Sequence, residues 1–136
     1  MARVDGDFNV DVKLVSKSQL FGVPATQNFG WHFSPKCSDG PCTVVWNDIE
    51  HESFRGTLTR KGPGYSGSAT GDFGDQCGKV STKSTITFSL KVTKAKAIGG
   101  EWRATQLRGT LAEYDPAQLG CTVGRASYSI TATLLT

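Results

Sequence analysis

The sequence lacks the apolar runs and the composition that would indicate a membrane span or a helical bundle. Its longest uninterrupted apolar runs are two or three residues, whereas a spanning helix needs about 20. Only one Met is present, against 12 Ser, 15 Thr and 16 Gly, and this mixture favours strands and turns over helices. These absences predict an all-β chain with no transmembrane segment.

Motifs for catalysis and for cofactor binding are also missing. The chain has no phosphate-binding loop, no dinucleotide fingerprint and no Cys-x-x-Cys redox pair. Of its two histidines, His32 is predicted on the polar side of a strand, and His51 lies in an acidic turn with Asp48, Glu50 and Glu52. Adjacent residues point in different directions, which disfavours convergence on a metal. We therefore expect no catalytic residue, no metal and no cofactor.

The four cysteines indicate disulfides. In a small β-rich chain they predict two bridges and an oxidising compartment, and proximity along the sequence favours Cys37 with Cys42 and Cys77 with Cys121 among the three possible pairings. Zinc is the alternative, because Cys-x4-Cys lies within the ligand spacings of structural sites. No apolar leader segment follows Met1. We interpret Met1 as an initiator residue in front of a trimmed domain, whose native location is extracellular or in the cell envelope.

Charge is unevenly distributed along the chain. The net charge is +3 and the pI is about 8.7, yet residues 79 to 108 carry seven basic groups against the single acidic Glu101. A nucleic-acid-binding domain would show a pI above about 9 with clustered Arg and exposed aromatics. We therefore predict no nucleic-acid partner and interpret the basic segment as a solvated strand face.

Alternation of apolar and polar residues predicts about eight strands, beginning with Phe8 to Val15 and including a long strand over 84 to 96. Gly71 to Gly78 is expected to be a loop, and a β-bulge is expected near Thr105 or Gln106. The predicted fold is one domain over 1–136, either an up-and-down barrel of lipocalin-like type or a two-sheet sandwich. The barrel is favoured because closure removes exposed edges.

Large aromatic residues are predicted to face the interior. They fill the core or, in the functional interpretation, line a cavity for a small ligand. Small residues at Gly67, Ala69 and Gly71 leave volume that either the aromatics or a ligand can occupy. The candidate ligand-binding residues are Phe29, Trp31, Phe33, Trp46, Tyr65, Trp102 and Tyr128.

The order of several short motifs resembles an extracytoplasmic domain of actinobacterial secreted and membrane-attached proteins, sometimes linked to Ser/Thr kinase domains. The motifs are Trp31-x-Phe33-x-Pro35-x-Cys37, Gly40-Pro41-Cys42, Gly100-Glu101-Trp102-Arg103-Ala104-Thr105, Arg108-Gly109-Thr110-Leu111 and Gly120-Cys121. The resemblance implies an envelope location and both Cys pairs, and it implies no reaction.

Three functions follow as hypotheses. The first is a non-catalytic extracytoplasmic binding or sensor module for a small apolar or amphiphilic ligand or an envelope component. The alternative is a secreted protein-interaction module, such as a protease inhibitor, which presents the rigid Cys37–Cys42 loop with Pro41. The third is a hydrolase, which would need a polar cleft that brings His32 near a carboxylate.

Overall fold

The fold is a closed antiparallel β-barrel. A computed structural model describes residues 2–18, 24–38, 41–50, 54–77, 80–115 and 124–135. Each strand pairs with the next one in the sequence, and the last pairs with the first. The predicted up-and-down barrel is confirmed, and the two-sheet sandwich is not the arrangement found. The strands are β1 Gly6–Ser18, β2 Thr26–Pro35, β3 Val44–Asp48, β4 Arg55–Lys61, β5 Gly64–Cys77, β6 Val80–Ile98, β7 Glu101–Asp115 and β8 Gly124–Leu134.

The core follows from the two-residue period of the strands. In β8, buried and exposed positions alternate from Gly124 onward, because successive side chains of a strand point to opposite faces. Phe8, Val10 and Val12 of β1 are buried in the same way. Residues that the alternation marks as apolar therefore meet inside the barrel.

Two predictions concern irregular backbone: the β-bulge in β7 and the loop over 71 to 78. The bulge is present, because the pairing of β6 with β7 shifts around Lys94, opposite Gln106. The predicted loop over 71 to 78 is wrong as far as Cys77, since β5 continues to that residue and pairs with β6 through two further register shifts. The long β6 offers backbone partners there, and pairing satisfies backbone groups that would otherwise lack hydrogen bonds.

One end of the barrel, which we call the closed end, is covered by residues 2–5. The amide of Arg3 donates to the carbonyl of Trp102, and the carbonyl of Arg3 accepts from the amide of Ala104, both at 2.9 Å. This places the side chains of Ala2 and Val4 in the core. Up-and-down topology puts the β2–β3, β4–β5 and β6–β7 turns at the same end. The opposite end, where β1, β3, β5 and β7 finish, is called the loop end.

The disulfide between Cys37 and Cys42 joins the β2–β3 connection, with Cα atoms 6.2 Å apart. It confirms the first predicted pair. The second pair stays a prediction, because Cys121 and the side chain of Cys77 lie outside the described parts of the chain. No helix in those parts has the length and hydropathy needed to cross a membrane.

Candidate ligand-binding site

A cluster of aromatic rings crosses the barrel interior, and we call it the aromatic belt. The centroids of Trp31 and Trp46 are 4.8 Å apart, and the ring of Phe88 lies 5.1 Å from each of them. Phe33 packs edge-on to Trp31 at 6.3 Å and to Phe8 at 5.1 Å. Such tilted and edge-to-face contacts add stabilisation to the burial of each ring. The belt fills this section of the barrel with side chains.

Two glycines on neighbouring strands, paired with Trp46 and Phe88, make room for the belt. A side chain at Gly67 would lie 3.1 Å from the ring of Phe88, and one at Gly56 would lie 3.3 Å from Nε1 of Trp46. Both distances are shorter than ordinary contacts between carbon atoms. The volume that the small residues of β4 and β5 leave at these two positions is therefore occupied by aromatic rings.

Two aromatic side chains of the interior carry a buried hydrogen-bond donor that has no partner among the described residues. The donors are Nε1 of Trp46 and the hydroxyl of Tyr65, on side chains that are 0% and 2% exposed. Burial raises the pKa of the Tyr65 phenol, and nearby Arg60 opposes that rise. Tyr65 thus stays a neutral hydrogen-bond donor, as the indole of Trp46 always is.

Toward the loop end the interior wall includes polar groups and some small residues. Ser84 is fully buried, and the hydroxyl of Tyr128 donates a hydrogen bond to Oε1 of Glu113 at 2.9 Å. Ala69 and Ala126 occupy neighbouring inward positions. The interior at this end also contains the buried ring of Phe54, which directly precedes β4.

A cross-strand row connects this polar region to the belt. Trp46 pairs with Gly56, Ile86 pairs with Ala69 and with Glu113, and the indole nitrogen of Trp46 lies beside Gly56. The unpaired indole N–H therefore lies next to β4, beside Gly56. A molecule lying between the belt and Glu113 would meet a donor at Trp46 and a carboxyl group at Glu113.

The structure brings most of the predicted site residues into the interior. Trp31, Phe33, Trp46, Tyr65 and Tyr128 are buried, and Phe29 packs partly buried against the core. Their contact with a ligand stays a prediction.

The interior position predicted for Trp102 is wrong, because this side chain is 55% exposed. The β6–β7 hairpin extends beyond its neighbours at the closed end: β5 begins opposite Lys91, and the pairing of β7 with β8 stops at Gln106. Trp102 lies past both points. The alternation directs the Trp102 side chain inward, but β5 and β8 do not extend far enough to cover it.

Sequence reasoning missed Glu113 and Ser84 as interior polar residues. Glu113 continues the inward phase of Leu107, Gly109 and Leu111 in β7, so the signal was present in the alternation. Ser84 likewise precedes Ile86 and Phe88 in phase. The apolar–polar alternation does not identify either residue as buried, because a polar residue at an inward position ends the apolar pattern.

Of the residues considered for catalysis or metal binding, His32 lies on the outside, whereas Asp48 is buried. Nδ1 of His32 is 2.6 Å from Oδ1 of Asp7, with side chains that are 42% and 56% exposed. Asp7 is the only hydrogen-bond partner of His32 among the described residues. In the acidic turn, Oδ1 of Asp48 accepts from the amide of Glu50 at 2.9 Å, as in an Asx turn. His51 and Glu52 lie outside the described residues.

Comparison of the chain with protein-family models, with curated proteins and with solved structures finds no match. Function is therefore argued from the geometry of the barrel.

Proposed function

We propose that this chain is a non-catalytic extracytoplasmic binding module that takes one small amphiphilic molecule into the barrel between the aromatic belt and the loop end. The apolar body of the ligand packs on Trp31, Trp46 and Phe88. Its polar end carries an acceptor oxygen. The ligand class is set by the donors that the interior leaves without partners.

The indole N–H of Trp46 is the observation that carries this proposal. A buried donor without a partner costs about 1–3 kcal/mol, and buried polar groups are nearly always hydrogen-bonded. Trp46 is fully buried, and its Nε1 has no partner in the described chain. A ligand with an acceptor oxygen removes this cost on binding. The hydroxyl of Tyr65 is a second unpaired donor, but Tyr65 lies next to the β4–β5 turn, toward the closed end.

The arrangement of the two barrel ends supports entry from the loop end. The closed end is covered by residues 2–5, with Val4 only 1% exposed. The interior toward the loop end carries the Glu113–Tyr128 pair and the small residues Ala69 and Ala126. Small eight-stranded barrels have room for one small ligand, and their mouths are common binding sites.

An extracytoplasmic setting is supported by the Cys37–Cys42 bridge, because disulfides persist in oxidising compartments. The resemblance to actinobacterial extracytoplasmic domains agrees with this location. Within such a setting the module serves as the sensor or accessory part of a larger protein, and an envelope lipid is a ligand with the required chemistry.

A matched pair of fluorescent probes tests the proposal. 1-Anilinonaphthalene-8-sulfonate has an apolar ring system and a sulfonate acceptor, and N-phenyl-1-naphthylamine has the same rings without the acceptor. We expect the sulfonate probe to bind with a stoichiometry of one. Trp46→Phe is expected to weaken it roughly tenfold or more, as for a hydrogen bond to a charged group, and to change the neutral probe little.

Trp31→Phe is the control, because it shrinks the same belt while Nε1 of Trp46 stays in place. It should weaken both probes to a similar extent. Absence of saturable binding of either probe to the folded wild-type chain would refute the proposal. Equal losses for the two probes in Trp46→Phe would refute the role of the indole N–H.

A protein-interaction module is the second candidate, and one contact favours it. Nη2 of Arg3 donates to the carbonyl of Cys37 at 2.7 Å, so Cys37 is held by both the disulfide and the N-terminal segment. Fixing a binding segment in advance lowers the entropy lost on binding. A protease panel assayed with wild type and with Ser38→Arg tests it, and inhibition that the substitution alters without changing the melting temperature would support it.

A further inference from the structure

The outer face of β4–β8 carries a broad groove that the interior site does not use. One part has a volume of about 710 Å³ and crosses β4 to β8. A second part of about 500 Å³ adjoins the β4–β5 turn. Ser66, Ser89 and Thr110 line both parts, which therefore form one continuous surface that we call the outer groove.

The floor of the outer groove presents hydroxyl groups in register across the strands. Ser66 pairs with Ser89, Ser89 with Thr110, and Thr110 with Ser129. A second row begins with Ser68 and Thr87 on the same face. Paired strands lie about 4.8 Å apart, and every hydroxyl can both donate and accept hydrogen bonds. A polyhydroxylated chain could exchange hydrogen bonds with this floor over several strands.

The ends of the groove are basic. Lys61, Lys91 and Arg108 line one end. Next to the other end, the guanidinium of Arg125 lies 5.2 Å from the ring centroid of Tyr114. Among the outward side chains that the structure describes on β4–β8 the only carboxylate is that of Glu101, which lies at the start of β7 outside the groove and faces Arg3 and Arg103. Two residues of the basic segment noted in the sequence, Lys91 and Arg108, therefore lie at a concave surface that attracts anions.

Other classes of partner fit this surface less well. Protein interfaces are depleted in Ser and Lys and enriched in large aromatics, whereas the floor here consists of Ser and Thr. Peripheral membrane binding needs apolar side chains that insert into lipid, and of the exposed large hydrophobics only Val15 and Tyr114 lie on or beside the groove. Single-stranded nucleic acid needs a series of stacking aromatics.

We propose that the outer groove binds an acidic polysaccharide. The sugar hydroxyls exchange hydrogen bonds with the Ser and Thr rows, and the anionic groups pair with Lys91 and Arg108. This site is separate from the barrel interior, so the module would hold a polymer of the envelope outside while it binds a small molecule inside.

Dextran sulfate and uncharged dextran are the probes, with polygalacturonate as a carboxylated polymer. The folded chain should bind both anionic polymers and bind dextran at least tenfold more weakly, and raising the salt concentration should weaken the anionic complexes. Lys91→Glu/Arg108→Glu is expected to weaken them roughly tenfold or more. Thr87→Val/Thr110→Val keeps the β-branched shape and should cost about two- to tenfold through lost hydroxyls.

Lys36→Glu/Lys96→Glu is the control, because it makes the same change of net charge at exposed positions outside the groove. It should change binding less than twofold. Equal losses in the two charge-reversed variants, or no loss in the Thr→Val variant, would overturn the proposal in favour of unspecific attraction. Binding to vesicles of anionic lipid without binding to either anionic polymer would overturn it in favour of a membrane surface. Charge reversal at the groove should leave 1-anilinonaphthalene-8-sulfonate binding inside the barrel unchanged.

Discussion

Replacing Tyr65 by Phe should stabilise the free protein, whereas the same replacement at Tyr128 should destabilise it. Both residues are aromatic, inward and 2% exposed. They differ in their hydroxyl groups: that of Tyr65 has no partner among the described residues, and that of Tyr128 donates to Glu113 at 2.9 Å. The two substitutions therefore remove the same atom from opposite hydrogen-bonding situations.

The expected changes follow from the cost of burying a polar group. An unpaired buried hydroxyl costs about 1–3 kcal/mol, so Tyr65→Phe should raise the free energy of unfolding by about 1 kcal/mol after allowance for the small void that is left. Tyr128→Phe removes the hydrogen bond to Glu113 and leaves Oε1 of Glu113 without this donor. The free energy of unfolding should therefore fall by about 1–3 kcal/mol.

Urea unfolding followed by circular dichroism measures both values, and a change of 1 kcal/mol should move the melting temperature by about 4 °C. The wild-type and variant chains should show equal m-values, which would indicate that the surface exposed on unfolding is unchanged. A loss of stability in Tyr65→Phe as large as that in Tyr128→Phe would refute the reasoning, because it would show that the Tyr65 hydroxyl is paired in the free protein.

Three further predictions concern packing, the bridge and alkaline pH. Gly67→Ala should cost about 1–3 kcal/mol in urea unfolding, because overpacking a filled core is destabilising and the new methyl group would lie 3.1 Å from the Phe88 ring; an unchanged midpoint would show that the belt can move aside. Cys37→Ala/Cys42→Ala should lower stability by about 2 kcal/mol, as expected for the closure of a short loop, and reductant should then have little further effect unless the second predicted bridge is present. Since burial raises the pKa of Tyr65 above its ordinary value in the unfolded chain, near 10, stability should fall as the pH rises above about 10, and more steeply in wild type than in Tyr65→Phe; parallel curves would contradict this.

The strand pattern was predictable from the sequence because one face of each strand is buried. Phe8, Val10 and Val12 show the two-residue period directly, and Gly99 and Gly100 provide the positive φ angles that the β6–β7 turn requires. Short turns between successive strands then favour pairing in sequence order. Closure of the barrel follows from the pairing of β8 with β1.

Features that depend on neighbouring chain segments were not predictable in this way. Trp102 has the phase of an inward residue, but its exposure depends on where β5 and β8 stop along the hairpin. The extension of β5 to Cys77 depends on the length of β6. Residues 2–5 show no periodic pattern, and their position over the closed end rests on hydrogen bonds of Arg3 to the distant β7.

The candidate site was predicted only in part for a related reason. Alternation identifies Trp46 and Tyr65 as interior residues, and both are buried. Whether a buried donor has a partner depends on the positions of atoms from several strands. The periodicity of the sequence gives no information about those positions. The unpaired N–H and O–H groups, which carry the functional proposal, became visible only in three dimensions.

Tryptophan fluorescence of the Trp102→Phe variant tests the binding proposal most directly. The chain has three Trp residues, and this variant keeps only Trp31 and Trp46, both in the aromatic belt. Titration with 1-anilinonaphthalene-8-sulfonate should change their emission in a saturable way that is complete near one equivalent at protein concentrations above the dissociation constant. Emission that stays constant throughout the titration of the folded variant would contradict an interior binding site.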